Sequence, residues 1–157
     1  MNRTSAFICT GLVVVLLAAL PPLAVLAQAP AAQIVKERQE SMKARGAAIR
    51  NLVRMTRGEA PWDAQAALRD ATSIHAEGAK TRTLFPEGTG PDRADTAALP
   101  TIWQDRQGFE AEIRRLEETS GRLMKLAQSN DQEGFKAQVP VVGRVCASCH
   151  ERYRKPQ

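Results

Sequence analysis

One short motif constrains this chain more than any other feature: Cys146-Ala147-Ser148-Cys149-His150, close to the C-terminus. Two cysteines separated by two residues and followed directly by histidine form the attachment sequence for haem c. In such a site the thiols bond to the haem vinyl groups and the imidazole binds the iron. On a helix, positions 146, 149 and 150 share one face. The preceding chain is therefore expected to enclose a haem that is tethered near its C-terminal end.

Other uses of the two cysteines fit the sequence less well. Cys9 lies in the N-terminal segment that is expected to be removed, so the mature chain keeps only Cys146 and Cys149. A lone pair in an oxidising compartment would normally form a disulfide, and Cys-x-x-Cys is also the redox motif of thioredoxin-like folds. That redox motif needs a βαβ context, and no strand pattern surrounds Cys146. A structural zinc site needs four ligands, and only Cys146, Cys149 and His150 cluster; His75 could be a fourth, but nothing in the sequence points to it. We predict one haem c, bound covalently through Cys146 and Cys149.

The N-terminus has the pattern of an export signal. One basic residue precedes an apolar run over residues 12–20, and small residues end the segment at Ala27. A proline pair follows this apolar run. The run is shorter than the ~20 apolar residues that are needed to span a bilayer. We therefore predict that residues 1–27 are a cleaved signal peptide, that residues 28–157 form one mature domain, and that the protein is periplasmic.

Charge and composition exclude one class of partner. The formal net charge is +5, and loss of Arg3 with the signal peptide lowers it by one. No basic stripe interleaved with aromatic residues is present, so nucleic acid is not an expected partner. Aromatic residues make up only 4% of the chain, and a haem would supply the apolar bulk that a small core lacks.

Apolar residues at helical spacing predict four helices. They are expected over about residues 31–57, from residue 60 to residue 85, from residue 101 to a break at 129–131, and from that break to the haem motif. Pro140 should kink or restart the last helix, because proline lacks a backbone N–H. A long loop over residues 86–100 separates the second helix from the third. Short connections elsewhere favour antiparallel neighbours, so the predicted fold is all-α: an up-down-up-down four-helix bundle with a covalently attached haem c.

A haem motif at the very end of four helices resembles the cytochrome c′ family, the class II c-type cytochromes. The resemblance covers the whole mature chain. Besides the motif it rests on Tyr153-Arg154, Arg38-Gln39, Ala60-Pro61-Trp62-Asp63, Phe85 with Gly88-Thr89, and Pro100-Thr101-Ile102-Trp103 with Phe109. It implies His150 as one axial ligand and a residue of the first helix facing the other side of the iron. Counting from Arg38-Gln39, that residue is Met42, as in the family's low-spin methionine/histidine subgroup.

Met42 has a second interpretation from the sequence alone. It lies on the apolar row of the first helix with Val35 and Ile49, and a methionine in such a row usually fills the core. In gas-binding members of the family the corresponding residue is usually bulky and leaves the iron five-coordinate. Met55 is about 20 Å farther along the helix and cannot share the site. Met124 is expected in the core, and His75 matches no ligand position of the family.

Further site residues are implied by the resemblance. Arg38, Gln39 and Thr89 are expected to contact the haem propionates, although Arg38 could also be a solvated cation. Arg154 is expected near the imidazole of His150, where a cation would tune the basicity of the ligand.

These patterns predict a periplasmic monohaem cytochrome that carries one electron, with His150 and Met42 as axial ligands. It would have no catalytic residue, would not be an enzyme, and would exchange electrons with soluble or membrane-bound redox partner proteins. The helix faces leave both a monomer and a homodimer open. The alternative is a five-coordinate protein that binds nitric oxide or carbon monoxide, with Met42 only packing over the haem. A peroxidase is a weaker third hypothesis, since His75 would be its only acid–base histidine.

Overall fold

A computed structural model describes residues 23–156, with side chains from Pro30 onward. The expected signal peptide, residues 1–27, lies almost entirely outside the described residues, and its cleavage stays a prediction. The helices are α1 Leu23–Thr56, α2 Ala64–Lys80, α3 Thr101–Gln104, α4 Arg106–Gln128 and α5 Gln132–Tyr153. A 3₁₀ turn, Thr81–Thr83, extends α2.

The predicted all-α four-helix bundle is confirmed. Helices α1 and α4 each pack against both α2 and α5, so the four long helices form a closed ring of neighbours. The apolar rows of all four helices meet in one core, whose fully buried members include Leu52, Ile74, Leu123, Phe135 and Val142. Within residues 23–156, no helix is both long enough and apolar enough to cross a membrane.

Aspartates at the helix starts explain where the bundle helices begin. The carboxylates of Asp63, Asp105 and Asp131 accept hydrogen bonds from backbone N–H groups of the first turns of α2, α4 and α5. Each therefore satisfies a donor that the helix itself leaves free. At the end of α1, Gly58 adopts a φ of +73°, a conformation that suits glycine and stops the helix.

Two features of the helices differ from the sequence prediction. The third predicted helix is broken at Asp105, which ends α3 after a single turn and caps α4. The last helix continues through Pro140, so the restart expected there is wrong. Pro140 and Lys136 are both on the exposed side of α5, where water can bind the carbonyl oxygen that proline leaves without a partner.

The loop over residues 86–100 is tied to the end of α5. The backbone N–H of Leu99 donates to the Tyr153 carbonyl (3.0 Å), and the N–H of Lys155 donates to the Ala97 carbonyl (2.8 Å). Ala98 and Arg154 form an isolated antiparallel bridge between these bonds. The loop therefore lies against the turn of helix that follows the haem motif.

Asp105 strengthens this junction through its side chain. Its Oδ2 accepts hydrogen bonds from the Tyr153 hydroxyl (2.7 Å) and from Arg152 Nη2 (2.9 Å), while Oδ1 accepts from the Gly108 N–H (3.1 Å). The bond from Tyr153, then that from Gly108, holds the pKa of Asp105 below its usual range. Burial, followed by the bond to Asp105, raises the pKa of Tyr153 to about 12.

Replacing Tyr153 by phenylalanine is expected to remove part of the alkaline sensitivity of the fold. The folded chain holds the Tyr153 proton above its ordinary pKa of 10, so the unfolded chain ionises first as the pH rises. This contribution to stability is complete below pH 10 and is lost as the pH approaches about 12. Denaturant unfolding at pH 8 and at pH 11 measures how much the free energy of unfolding falls between the two pH values. This fall should be smaller for Tyr153→Phe than for wild type. An equal fall in both proteins would show that ionisation of the Tyr153 phenol is not coupled to unfolding.

Candidate haem site

A cleft with two lobes opens between α1, α4 and α5. The inner lobe is a cavity of about 130 Å³, and the outer lobe has a volume of about 450 Å³. Both lobes are lined by Met42, Gly46, Phe109, Cys149 and His150, so they are two ends of one space. The predicted axial ligands thus face the same cleft from different helices.

The walls of the inner lobe are mostly apolar. Its aliphatic side chains come from all four long helices: Ile49, Ile74, Ile113, Leu116, Val142 and Val145. Gly46 keeps the middle of the cleft open. A Cβ added to Gly46 would meet one side chain, the guanidinium of Arg50 at 3.2 Å, so any larger residue would extend toward the space shared by the lobes. Such a mostly apolar slot suits a planar porphyrin.

The three residues of the haem motif lie in the last turns of α5 and line the cleft together. Cys146 and Cys149 are half-buried free thiols. Burial raises the pKa of both, to about 11 for Cys149, where the negative charge of Glu112 adds to the effect. Burial also lowers the pKa of His150, and the cations of Arg154 and Arg45 lower it further. The imidazole is therefore neutral at neutral pH, the form that binds iron.

Met42 lies across the cleft on α1. Its side chain is half-buried and packs, as Cys149 does, against the apolar cluster that contains Phe109. Its Sδ atom accepts a hydrogen bond from Arg45 Nη2 at 3.0 Å. The other methionines of the described chain pack against the bundle core, Met55 near the C-terminal end of α1 and Met124 on α4, and neither lines the cleft.

Arg38 is a buried cation at the edge of the outer lobe. Its guanidinium donates to the Leu84 carbonyl (3.0 Å), to Thr96 Oγ1 (3.1 Å) and to Thr89 Oγ1 (2.8 Å), and its Cζ lies 3.9 Å from the ring centroid of Phe85. The side chain is only 4% exposed, so the alternative of a solvated cation is wrong. Burial lowers the pKa of Arg38 to about 10, which leaves it charged at neutral pH. Among its hydrogen-bond partners in residues 30–156 none is an acid, so the charge fits the anionic group of a ligand.

The remaining predicted contacts divide into two groups. Gln39 and Arg154 line the outer lobe, and the buried Nε of Arg154 has no hydrogen-bond partner among the described residues. Thr89 does not line either lobe: its hydroxyl donates to the Pro86 carbonyl (2.8 Å) and accepts from Arg38. Thr89 therefore acts on the cleft by holding Arg38. Propionate contacts of Arg38, Gln39 and Thr89 stay predictions.

Sequence reasoning missed three cleft residues, Arg45, Gly46 and Glu112. Arg45 follows Met42 by three positions, which puts both on one face of α1, and this spacing was a usable signal. Glu112 interrupts the apolar row of α4 beside Ile113, and an acid in an apolar row was a second usable signal. His75 lies between α2 and α4, where Nδ1 is 3.1 Å from both the Glu117 carbonyl and Ser120 Oγ, and it does not line the cleft.

The residues present fit a haem c. The thiols and a neutral imidazole share one wall, apolar side chains form the others, and a buried arginine lacks an acidic partner. Within residues 30–156, no group of three or more His, Cys, Asp and Glu side chains could hold a metal ion without such a cofactor.

The family model for Cytochrome C' matches residues 33–154, which run from within α1 to the end of α5 and include the whole cleft. The chain belongs to the cytochrome c′ family. It is 34% identical over 150 residues to cytochrome c' of Cereibacter sphaeroides, a match that covers 91% of this chain and 95% of the relative. It is also 30% identical over 120 residues to cytochrome c-556 of Agrobacterium tumefaciens, covering 76% of this chain and 95% of that protein.

A solved structure in the cytochrome c′ family has the same fold. It is the nitric oxide complex of a mutant cytochrome c prime from Alcaligenes xylosoxidans, with a TM-score of 0.73 and 25% identity. The match covers 80% of this chain and 95% of that one. Together with the motif and the cleft, membership of the cytochrome c′ family identifies this protein as a monohaem c-type cytochrome with haem c attached to Cys146 and Cys149.

Proposed function

We propose that this protein is a periplasmic one-electron carrier in which His150 and Met42 bind the iron on opposite sides. The mature domain is residues 28–157. When bound, the haem supplies a ferric/ferrous couple that accepts and releases a single electron. The observation that carries the proposal is that Met42 on α1 and His150 on α5 line both lobes of the same cleft.

The chain's own residues contribute position and electrostatics. His150 offers a neutral imidazole, held in the last turns of a helix that is fixed on both sides by α1 and α4. Met42 offers a soft, neutral thioether, which favours the ferrous state. A thioether sulfur has two lone pairs, so the Met42 sulfur can accept the hydrogen bond from Arg45 with one and bind iron with the other. Ligands fixed on two packed helices keep their positions in both redox states, so little reorganisation opposes electron transfer.

The outer lobe is the route for the electron. Polar and charged side chains from α1 and from the end of α5 surround it, including Gln39, Lys43 and Arg154, and Lys43 is exposed. A redox partner, soluble or membrane-bound, would approach the haem at this edge. The protein acts as a monomer or a homodimer in this role. No catalytic residue takes part, and we do not propose that the protein is an enzyme.

One observation favours a second function, the binding of nitric oxide or carbon monoxide at a five-coordinate iron. The hydrogen bond from Arg45 to the Met42 sulfur, 3.0 Å long, offers this thioether a partner other than iron. If Arg45 keeps the sulfur away from the iron, Met42 packs over the haem and leaves a position for a small ligand. This function needs the same fold and the same attachment of the haem.

Spectra of the purified haem-loaded protein separate the two functions. For an electron carrier we expect low-spin ferric haem in electron paramagnetic resonance and a methionine–iron charge-transfer band in the optical spectrum. The ferrous protein should then bind carbon monoxide poorly. A high-spin ferric spectrum together with ready binding of carbon monoxide would refute methionine ligation and support the gas-binding function.

A further inference from the structure

Glu112 is a buried acid inside the cleft. It lies on α4, is 5% exposed, and lines the inner lobe beside Cys146, Cys149 and His150. One oxygen, Oε1, accepts a hydrogen bond from Ser148 Oγ at 3.2 Å. The other oxygen, Oε2, is buried and has no hydrogen-bond partner among residues 30–156.

The hydrogen bond from Ser148 does not explain why this position carries a charge. A buried carboxylate oxygen without a partner destabilises the fold, because it has lost its water. The bond to Ser148 requires only an acceptor, which a glutamine carbonyl would also supply. Phe109, Ile113 and Leu116 form an apolar row on the same face of α4, so an aliphatic residue would fit the packing. The negative charge is what distinguishes Glu112 from these replacements.

The cations near Glu112 compensate its charge only in part. Arg115 Nη1 and Arg152 Nη1 each lie 3.5 Å from Oε1, and their side chains are 61% and 50% exposed. Water screens such exposed charges much more than it screens a carboxylate inside the cleft. Glu112 contacts the haem motif directly, because its Oε1 accepts the hydrogen bond from Ser148, the residue before Cys149.

We propose that Glu112 is an electrostatic determinant of the reduction potential, and that its buried negative charge lowers this potential. Reduction adds one electron to the haem, and a fixed negative charge nearby opposes the addition. The effect is larger in a mostly apolar cleft than in water, because the effective dielectric constant is lower there. The inference rests on the bound haem c and deepens the proposed electron-transfer function, but it does not depend on whether Met42 binds the iron.

The test compares Glu112→Gln with wild type as haem-loaded proteins, by spectroelectrochemical titration at pH 7. We expect the variant to have the higher reduction potential, with a shift of the ferric–ferrous equilibrium constant of roughly tenfold, or about 59 mV for a one-electron couple. Glu118→Gln is the matched control, because Glu118 lies on the same helix but is exposed. A shift no larger than that of the control, or a lower potential, would overturn the proposal.

Two further measurements distinguish a structural from an electrostatic cause of the shift in reduction potential. Arg152→Gln removes a cation beside Glu112 and should lower the potential, the opposite direction to Glu112→Gln; a rise would count against the proposal. In 1 M salt the shift caused by Glu112→Gln should persist, whereas that of an exposed charge is screened. Ferric spectra of the same samples report the axial ligands, so high-spin wild type would refute methionine ligation without bearing on the role of Glu112.

Discussion

Replacement of Met42 by alanine is expected to turn a closed, low-spin haem into an open, high-spin one. Alanine cannot reach the iron, and no other methionine or histidine besides His150 lines the cleft within the described residues. The charge-transfer band should disappear, and the reduction potential should fall because a ligand that favours ferrous iron is lost. If the methionine-free state is about 1% populated in wild type, carbon monoxide should bind the ferrous variant about a hundredfold more tightly.

Met55→Ala is the control for this experiment. Met55 is also on α1 and also partly buried, but it packs in the core away from the cleft. Its replacement should cost stability without changing the spectrum or the affinity for carbon monoxide. If Met42→Ala binds carbon monoxide no better than wild type, or if both proteins are already high-spin, Met42 is not an axial ligand.

Replacement of Arg38 by methionine should have the second largest effect, a loss of about 2–4 kcal/mol in the free energy of unfolding. The variant leaves the Leu84 carbonyl and Thr96 Oγ1 without their buried donor, and it removes the stacking of the guanidinium on Phe85. It also releases Thr89, and with it the start of the loop over residues 86–100. Denaturant unfolding of the haem-loaded protein measures the loss.

Arg93→Met is the matched control, because Arg93 lies in the same loop but is 61% exposed and pairs only with exposed Asp92. That change should alter stability by less than about 0.5 kcal/mol. Arg38→Lys should not restore stability, since a lysine cannot donate to three acceptors in the planar arrangement of a guanidinium. Equal stability of Arg38→Met and Arg93→Met would show that the buried cation does not hold the loop.

The sequence predicted the fold because each of its signals is local. The apolar rows, the loop over residues 86–100 and the break at residues 129–131 are each read from a few neighbouring residues, and short connections leave few ways to arrange four helices. The break at Asp105 was missed because the apolar row continues across it. The Asp105 carboxylate caps α4 locally and is also held by Arg152 and Tyr153 from α5, which the sequence does not show. The continuity of α5 at Pro140 depends on exposure, which the spacing of apolar residues does not give.

The sequence predicted those site residues that belong to a motif or to one face of a single helix. The spacing within α5 puts Cys146, Cys149 and His150 on one face, and the row on α1 puts Met42 toward the bundle interior. The position of Glu112 beside Cys149 depends on how α4 and α5 pack, and helical periodicity does not contain that information. The same holds for Arg38, whose acceptors come from residues 46 to 58 positions later in the chain.

The most direct test of iron binding by Met42 and His150 is X-ray absorption at the iron edge, recorded on the haem-loaded wild-type protein in both redox states. The extended fine structure counts the sulfur and nitrogen atoms bonded to the iron. We expect one sulfur and five nitrogen neighbours in the ferric and in the ferrous protein, from Met42, His150 and the porphyrin. A first shell without sulfur in either state would contradict ligation by Met42.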